Sequence, residues 1–261
     1  MNAIELAIEG IGIWGGGMRD WPSGREILLH GAPPGDAFAK PAPSLLPPTE
    51  RRRAPETVLL AIEAAQQACV MAKREPRTLP NVFASGYGEL AISDYLCATL
   101  ARAPLEVSPT RFHNSVHNAA AGYWTIATGC MESSTAVSAG AATFGAGLLE
   151  AAVRVAVDGR ATLFVAYDAA AAGPLVDVVP SRAPFAVGLV LAPPSPQAIA
   201  RLTARTGRAD LAPEADVLHP FLRDNPAARS LALLRALASG KAASLRVPAG
   251  TEFDLHLEIM P

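Results

Sequence analysis

Two stretches of this sequence place reactive side chains at spacings that could do chemistry. In His113-Asn114-Ser115-Val116-His117-Asn118 the imidazoles are four residues apart, so on a helix they would share a face, as a metal pair or an acid–base pair would. A metal needs a third ligand and the spacing suggests none; the plainer role is hydrogen bonding to buried backbone. The second stretch, Ser133 to Tyr167, reads as a short strand over Thr135–Ser138, a turn of small residues Ala139-Gly140-Ala141, and a helix from Thr143 to Val157. A strand that turns sharply into a helix is a place where enzymes present nucleophiles. Ser138 offers a hydroxyl there, and Cys130 lies a few residues upstream, after Gly129. Cys130 closes a helix instead of opening one, so no helix N-terminus lowers its thiol pKa. A covalent mechanism would have to pair Cys130 or Ser138 with His113 or His117.

The elements that position these groups follow from periodicity. Leu6 to Ile13 is a buried strand closed by Gly15-Gly16-Gly17, and an irregular segment follows, with the prolines between Ala32 and Pro48 forbidding regular structure. Pro55 opens an amphipathic helix over Glu56–Lys73. Asn81–Ser85 is the next strand, ended by Gly86 and Gly88, and Leu90–Leu100 is helical. This Gly-x-Gly lacks the third glycine and the acidic ribose partner of a dinucleotide site. Thr162–Tyr167 and Phe185–Leu191 are continuous apolar runs, and Ala198–Thr206 is a further strand. Asn225 and Pro226 start a helix that ends near Ser239, with Gly240 as its stop. Phe253 to Ile259 alternates apolar and polar, as an edge strand would. Strands without alternation and a helix apolar nearly all round imply a layered α/β architecture, with mainly parallel strands and the Thr143–Val157 helix buried on most sides.

At 261 residues the chain is long enough for one large domain. Half of the residues are apolar and 18% are charged, which excludes a disordered chain, and a net charge of -2 gives no electrostatic case for nucleic acid. Phe112–Met131 and Ala183–Ala200 carry no charged residue, but the first contains His and Asn and the second is broken by proline, so neither reads as a membrane span. Met1–Glu9 has no basic leader, and the expected compartment is the cytoplasm. Cys69, Cys97 and Cys130 form no CxxC pair; the first two fall in apolar helical patterns and read as buried thiols. Arg51-Arg52-Arg53 is the dense charge run, commonly a solvated face beside a helix start.

Several of these segments, taken in order, resemble the N-terminal half of a β-ketoacyl synthase, the condensing enzyme of fatty acid and polyketide assembly. They are Leu46-Pro47-Pro48 with Arg51-Arg52-Arg53, Ala84-Ser85-Gly86-Tyr87-Gly88, Ser108-Pro109-Thr110-Arg111-Phe112 leading into His113–Asn118, and Ser134–Glu150. The resemblance runs from about Ile4 to Ala192, and the matching subset is the short ketosynthase-like proteins of aryl polyene pathways, which are similar to chain-length factors.

The resemblance implies a thiolase-like layered fold over residues 1–261, with a ketosynthase-half core at 1–195 and short strands and a helix at 196–261 completing it. In active members the elbow carries the acyl-accepting cysteine. Superposition of Val137–Thr143 puts Ala141 there, and a methyl group forms no thioester. The two histidines contributed by a synthase's second half are also missing, since His219 and His256 sit in no matching motif. The implied role is a silent subunit without cofactor or metal, pairing with a full-length synthase as a heterodimer and shaping the acyl pocket. Ser138, Gly140, Ala141, Thr143, Phe144 and Gly145 would form the elbow and pocket. Phe112, His113, Asn114, His117, Asn118, Tyr123, Trp124, Thr135 and Val137 would form the interface, with the three aromatics as anchors. Arg51, Arg52 and Arg53 could dock an acidic acyl carrier protein. Two alternatives stand: an active acyltransferase using Cys130 or Ser138 with His113 or His117, and a homodimeric carrier-binding scaffold.

Overall fold

The first strand, β1 (Ile4–Trp14), carries glycines at positions 10 and 12 inside an otherwise apolar run, and the helix packed on it explains them. A Cβ on Gly12 would lie 2.0 Å from the carbonyl oxygen of Ala64, and one on Gly10 would lie 2.1 Å from that of Ala68. The helix α3 (Glu56–Ala72), lined with Ala64, Ala65 and Ala68, therefore rests directly on the sheet backbone. The structure, a computed structural model, describes residues 3–31, 39–209 and 222–261. His219 and part of the proline-rich loop lie outside the described residues.

The remaining elements in chain order include α1 (Trp21–His30) and α2 (Pro48–Arg53) before α3. After it come β2 (Asn81–Ala84), α4 (Leu90–Arg102), α5 (Pro109–His113), α6 (Ala119–Thr128), β3 (Ser134–Val137) and α7 (Thr143–Asp158). β4 (Thr162–Asp168), β5 (Phe185–Ala192), β6 (Ala200–Arg208), α8 (Leu231–Ser239), β7 (Ala243–Pro248) and β8 (Phe253–Met260) complete the chain. Most expected elements stand within a residue or two. The segment read as irregular after Gly17 holds α1, because Asp20 and Ser23 form a reciprocal capping box at its start. α2 begins where the proline-rich loop was expected to end and carries the Arg51–Arg53 run, a helix that was not expected there. Asn225 does cap as expected: its Oδ1 accepts from the N–H groups of Ala227 (2.9 Å) and Ala228 (3.2 Å), in the turn leading into α8.

Among the described residues, eight strands form one sheet in the order β3-β2-β4-β5-β1-β6-β8-β7. The expectation of mainly parallel pairing fails. Only β2 with β3 and β2 with β4 are parallel, and the other five ladders are antiparallel. The apolar runs of β4 and β5 reflect helices on both faces, α3 on one and α7 on the other, and that burial is indifferent to strand direction. Nor is β8 an edge strand: it pairs with both β6 and β7, and β7 takes the edge.

The sheet curls around α7. Within one turn of that helix, a Cβ on Gly147 would touch Ala84 of β2 and a Cβ on Gly145 would lie 2.1 Å from the Pro248 carbonyl of β7. These strands are six positions apart, about 29 Å in a flat sheet. The C-terminal β6–β8 segment thus closes over the helix. Coverage is less complete than the expected burial on most sides, since Val153 and Val157 on the outer face of α7 are exposed.

Candidate functional site

The elbow is built by backbone geometry and one hydroxyl. After β3 the chain passes through Gly140 at φ +54°, a left-handed conformation that favours glycine, and makes one 3-10 turn over Gly140–Ala142 into α7. Thr143 Oγ1 accepts the Ala139 N–H at 2.9 Å and donates to the Gly140 carbonyl at 2.7 Å, closing the turn. Ala141 sits exposed at the mouth of this turn, next to the positive end of a 16-residue helix. Of the pocket residues expected from sequence, Ser138 and Ala141 are exposed and Gly140 half-buried. Thr143, Phe144 and Gly145 are instead buried in this chain, Phe144 against Phe164 with ring centroids 5.6 Å apart and Gly145 under Pro248. Their side of α7 faces the chain's own sheet.

Beneath the elbow lies the loop Ser85–Gly88. Ser138 Oγ donates to the Gly86 carbonyl (3.2 Å), and His117 Nε2 bonds the Ser85 carbonyl (2.8 Å). The two groups that a covalent mechanism would pair are therefore each tied to backbone. His113 ends α5 and His117 lies in the turn before α6, so they do not share a helical face. Among the described residues no cluster of three His, Cys, Asp or Glu side chains could hold a metal.

The group that sequence reading missed is Asp168, the last residue of β4 and 1% exposed. Its carboxylate accepts from Ser85 Oγ (2.9 Å), the Tyr87 N–H (3.1 Å) and the Gly86 N–H (3.2 Å). Burial pushes its pKa up to about 7, with the donors from Gly86, Ser85 and Tyr87 pulling the other way. An acidic residue closing a fully apolar strand was the available signal.

Cys130 is buried, donating through Sγ to the Leu79 carbonyl (3.5 Å), and is separated from the elbow by the whole of β3. Cys69 is also buried, which raises its thiol to about 12. Cys97 is exposed, against the expectation, because α4 buries only Leu90.

At the sheet edge, the bonds Asn81 N–H to Ser133 O and Ser85 N–H to Val137 O turn the odd-numbered main-chain groups of β3 toward β2. The N–H and C=O of Ser134 and Ala136 therefore point away from the sheet. No charge or proline protects this edge. Exposed apolar side chains are carried by α6 and α7, which contact β3, and by the loop before the strand: Ile126 (84%), Val157 (77%) and Met131 (95%). Thr135 and Val137 are half-buried, with Thr135 Oγ1 held by Arg154 at 2.6 Å. Phe112 is 65% exposed, His113 and Asn118 are exposed, and His117 and Tyr123 are half-buried. Trp124 and Asn114 are not available as anchors. Trp124 is 0% exposed and packs on Phe83 at 6.3 Å, and Asn114 lies buried near Tyr123, because the inward face of α6 packs on α3 and β2.

Arg51, Arg52 and Arg53 form the last turn of α2, where positive charge favours the helix dipole. Arg51 donates to the Ala42 carbonyl (3.2 Å), and none of the three has an ion-pair partner among the described residues. With Pro41, Ala42, Pro48 and Leu59, Arg51 and Arg52 line an open cleft of about 340 Å³. Gly140–Asp158 is the helix, among the described residues, long and apolar enough to cross a membrane, and it is the one the sheet wraps.

A curled mixed sheet around a central helix that starts at an elbow defines a thiolase-like, ketosynthase-type fold. The chain belongs to the family described as β-ketoacyl synthase, N-terminal domain, which matches residues 29–250. Among solved structures it is similar to a chain of the complex of the ketosynthase ApeO with its chain length factor ApeC from Xenorhabdus doucetiae. That match has 22% identity and a TM-score of 0.76, covering 97% of this chain and 98% of that one. The ishigamide ketosynthase/chain length factor matches at 14% identity and TM-score 0.72, covering 98% of this chain and 99% of that one. A β-ketoacyl synthase from Burkholderia phymatum matches at 16% identity and TM-score 0.62, over 80% of this chain and 65% of that one. No curated protein matches the sequence.

Proposed function

We propose that this chain is a chain-length-factor-like subunit without its own turnover, which pairs with a full-length β-ketoacyl synthase and shapes the pocket that holds the growing acyl chain. The observation that carries the reading is the elbow itself: the turn into α7 presents the methyl group of Ala141, which cannot accept an acyl group. Ser138 is no substitute, since its hydroxyl donates to the Gly86 carbonyl and, among the described residues, no imidazole accepts its proton. The open edge of β3 with its exposed apolar flanks supports a partner that pairs strand to strand, and Phe112 is the aromatic that remains exposed to serve it. The arginines of α2, which form no ion pair among the described residues, support docking of an acidic acyl carrier protein, an attraction that should weaken with salt. Aryl polyene assembly in the cytoplasm is the setting we assign to this role.

The test is co-expression with candidate synthases, followed by size-exclusion chromatography with mass measurement. A complex of one copy of each chain is expected. A chain that runs as a monomer or homodimer beside every candidate refutes the pairing, and radiolabelled malonate or acetate bound covalently to the purified chain refutes the silence.

A further inference from the structure

The carboxylate of Asp168 lies buried beneath the elbow. Asp168 holds two walls at once. Its side chain fixes the Ser85–Gly88 loop through three donors, and its main-chain carbonyl accepts from Asn225 Nδ2 (3.1 Å), which also donates to Ala183 O (2.8 Å). Between those walls lies Gly86: a Cβ there would come 2.6 Å from Pro226 Cγ and 2.9 Å from the Gly140 carbonyl oxygen. The loop, the Asn225–Ala228 turn and the elbow thus meet in one slot whose width Asp168 sets from both sides. Among the described residues no cation forms an ion pair with the carboxylate, so its burial is costly and the donors offset part of that cost.

We infer that Asp168 is the positioning residue of the elbow: by wedging Gly86 between Gly140 and Pro226 it sets the wall that an acyl chain meets beside Ala141. This rests on the pocket-shaping reading above. The charged and titratable groups around it are Tyr87, Asp224 and Arg229 at the loop face, Glu89 and Tyr167 behind it, and His117 across the Ser85 carbonyl. Because burial favours the protonated carboxyl, acid favours the closed slot and ionisation through about pH 7 loosens it. The pH effect is assigned to Asp168 by its disappearance in Asp168→Asn.

The experiment compares wild type, Asp168→Asn and Ser85→Ala, each co-expressed with the synthase that pairs in the mass test, with product lengths read by mass spectrometry at pH 6 and pH 8. Asp168→Asn should still form the complex while its products shift or spread by at least one elongation unit. The wild-type distribution should spread as pH rises, and that dependence should vanish in the variant. An Asp168→Asn complex with wild-type products and wild-type pH dependence overturns the inference. Should Asp168→Asn fail to fold, a flat wild-type profile from pH 6 to 8 together with unchanged Ser85→Ala products overturns it. Failure of the underlying reading looks different, because then Ala141→Phe also leaves products unchanged. In that event amide exchange of Gly86 and Tyr87 in the chain alone decides: a tenfold acceleration in Asp168→Asn is expected, and unchanged exchange refutes the positioning role.

Discussion

Replacing Ala136 with proline tests the pairing edge directly. The ladder to β2 uses the main chain of Ser133, Thr135 and Val137, so the Ala136 N–H points away from the sheet and its loss breaks no internal bond. Thr135, the residue before the new proline, is already in extended backbone, which that position requires. The folded chain should therefore keep most of its stability. A partner strand fares differently. It loses one hydrogen bond, worth about 1 kcal/mol, and keeps a carbonyl buried without a donor, at about 1–3 kcal/mol. The sum, about 2–4 kcal/mol, corresponds to roughly 30- to 700-fold weaker pairing. The assay is titration calorimetry with the purified synthase, alongside thermal melting of Ala136→Pro alone. If the variant melts within a few degrees of wild type and binds within threefold of it, β3 is not the pairing strand.

Four further outcomes follow from the same geometry. Gly12→Ala puts a methyl 2.0 Å from the Ala64 carbonyl oxygen of a helix that cannot swing aside, so it should cost about 3 kcal/mol and lower the Tm by roughly 6–12 °C. Gly122→Ala, within α6 and with nothing inside 4 Å, should instead gain about 0.5–1 kcal/mol; equal effects at the two sites would refute the close-approach account. Asp168 has a pKa raised above its unfolded value, so its contribution is fully present below about pH 4 and lost as pH rises through about 7. Urea titrations should show up to about 4 kcal/mol of that slope vanish in Asp168→Asn. A thiol reagent at neutral pH should label Cys97 and spare Cys69 and Cys130 until unfolding; rapid labelling of Cys130 would revive a catalytic thiol. Ala141→Phe should shorten products of the pair without changing its mass, whereas Gly145 is unsuitable for such a test because any side chain there meets β7.

What the sequence by itself determined is local. The 3.6-residue pattern of Glu56–Ala72, the unbroken apolar runs of β4 and β5 and the small-residue turn at Ala139–Ala142 depend on neighbours in the chain, and each stands in the structure close to its expected bounds. Burial could be read there, but direction could not: an apolar strand between two helical layers looks the same whether its neighbour runs with it or against it, so the antiparallel β4–β5 ladder and the interior place of β8 were settled by long-range pairing. The same reason separates Trp124 from Phe112. Both are aromatic and close in sequence, yet one lies on the face of α6 turned to the core and the other on α5 turned to solvent. Asp168 shows it most sharply, because its donors come from residues more than eighty positions away and only the folded chain brings them to the end of its strand.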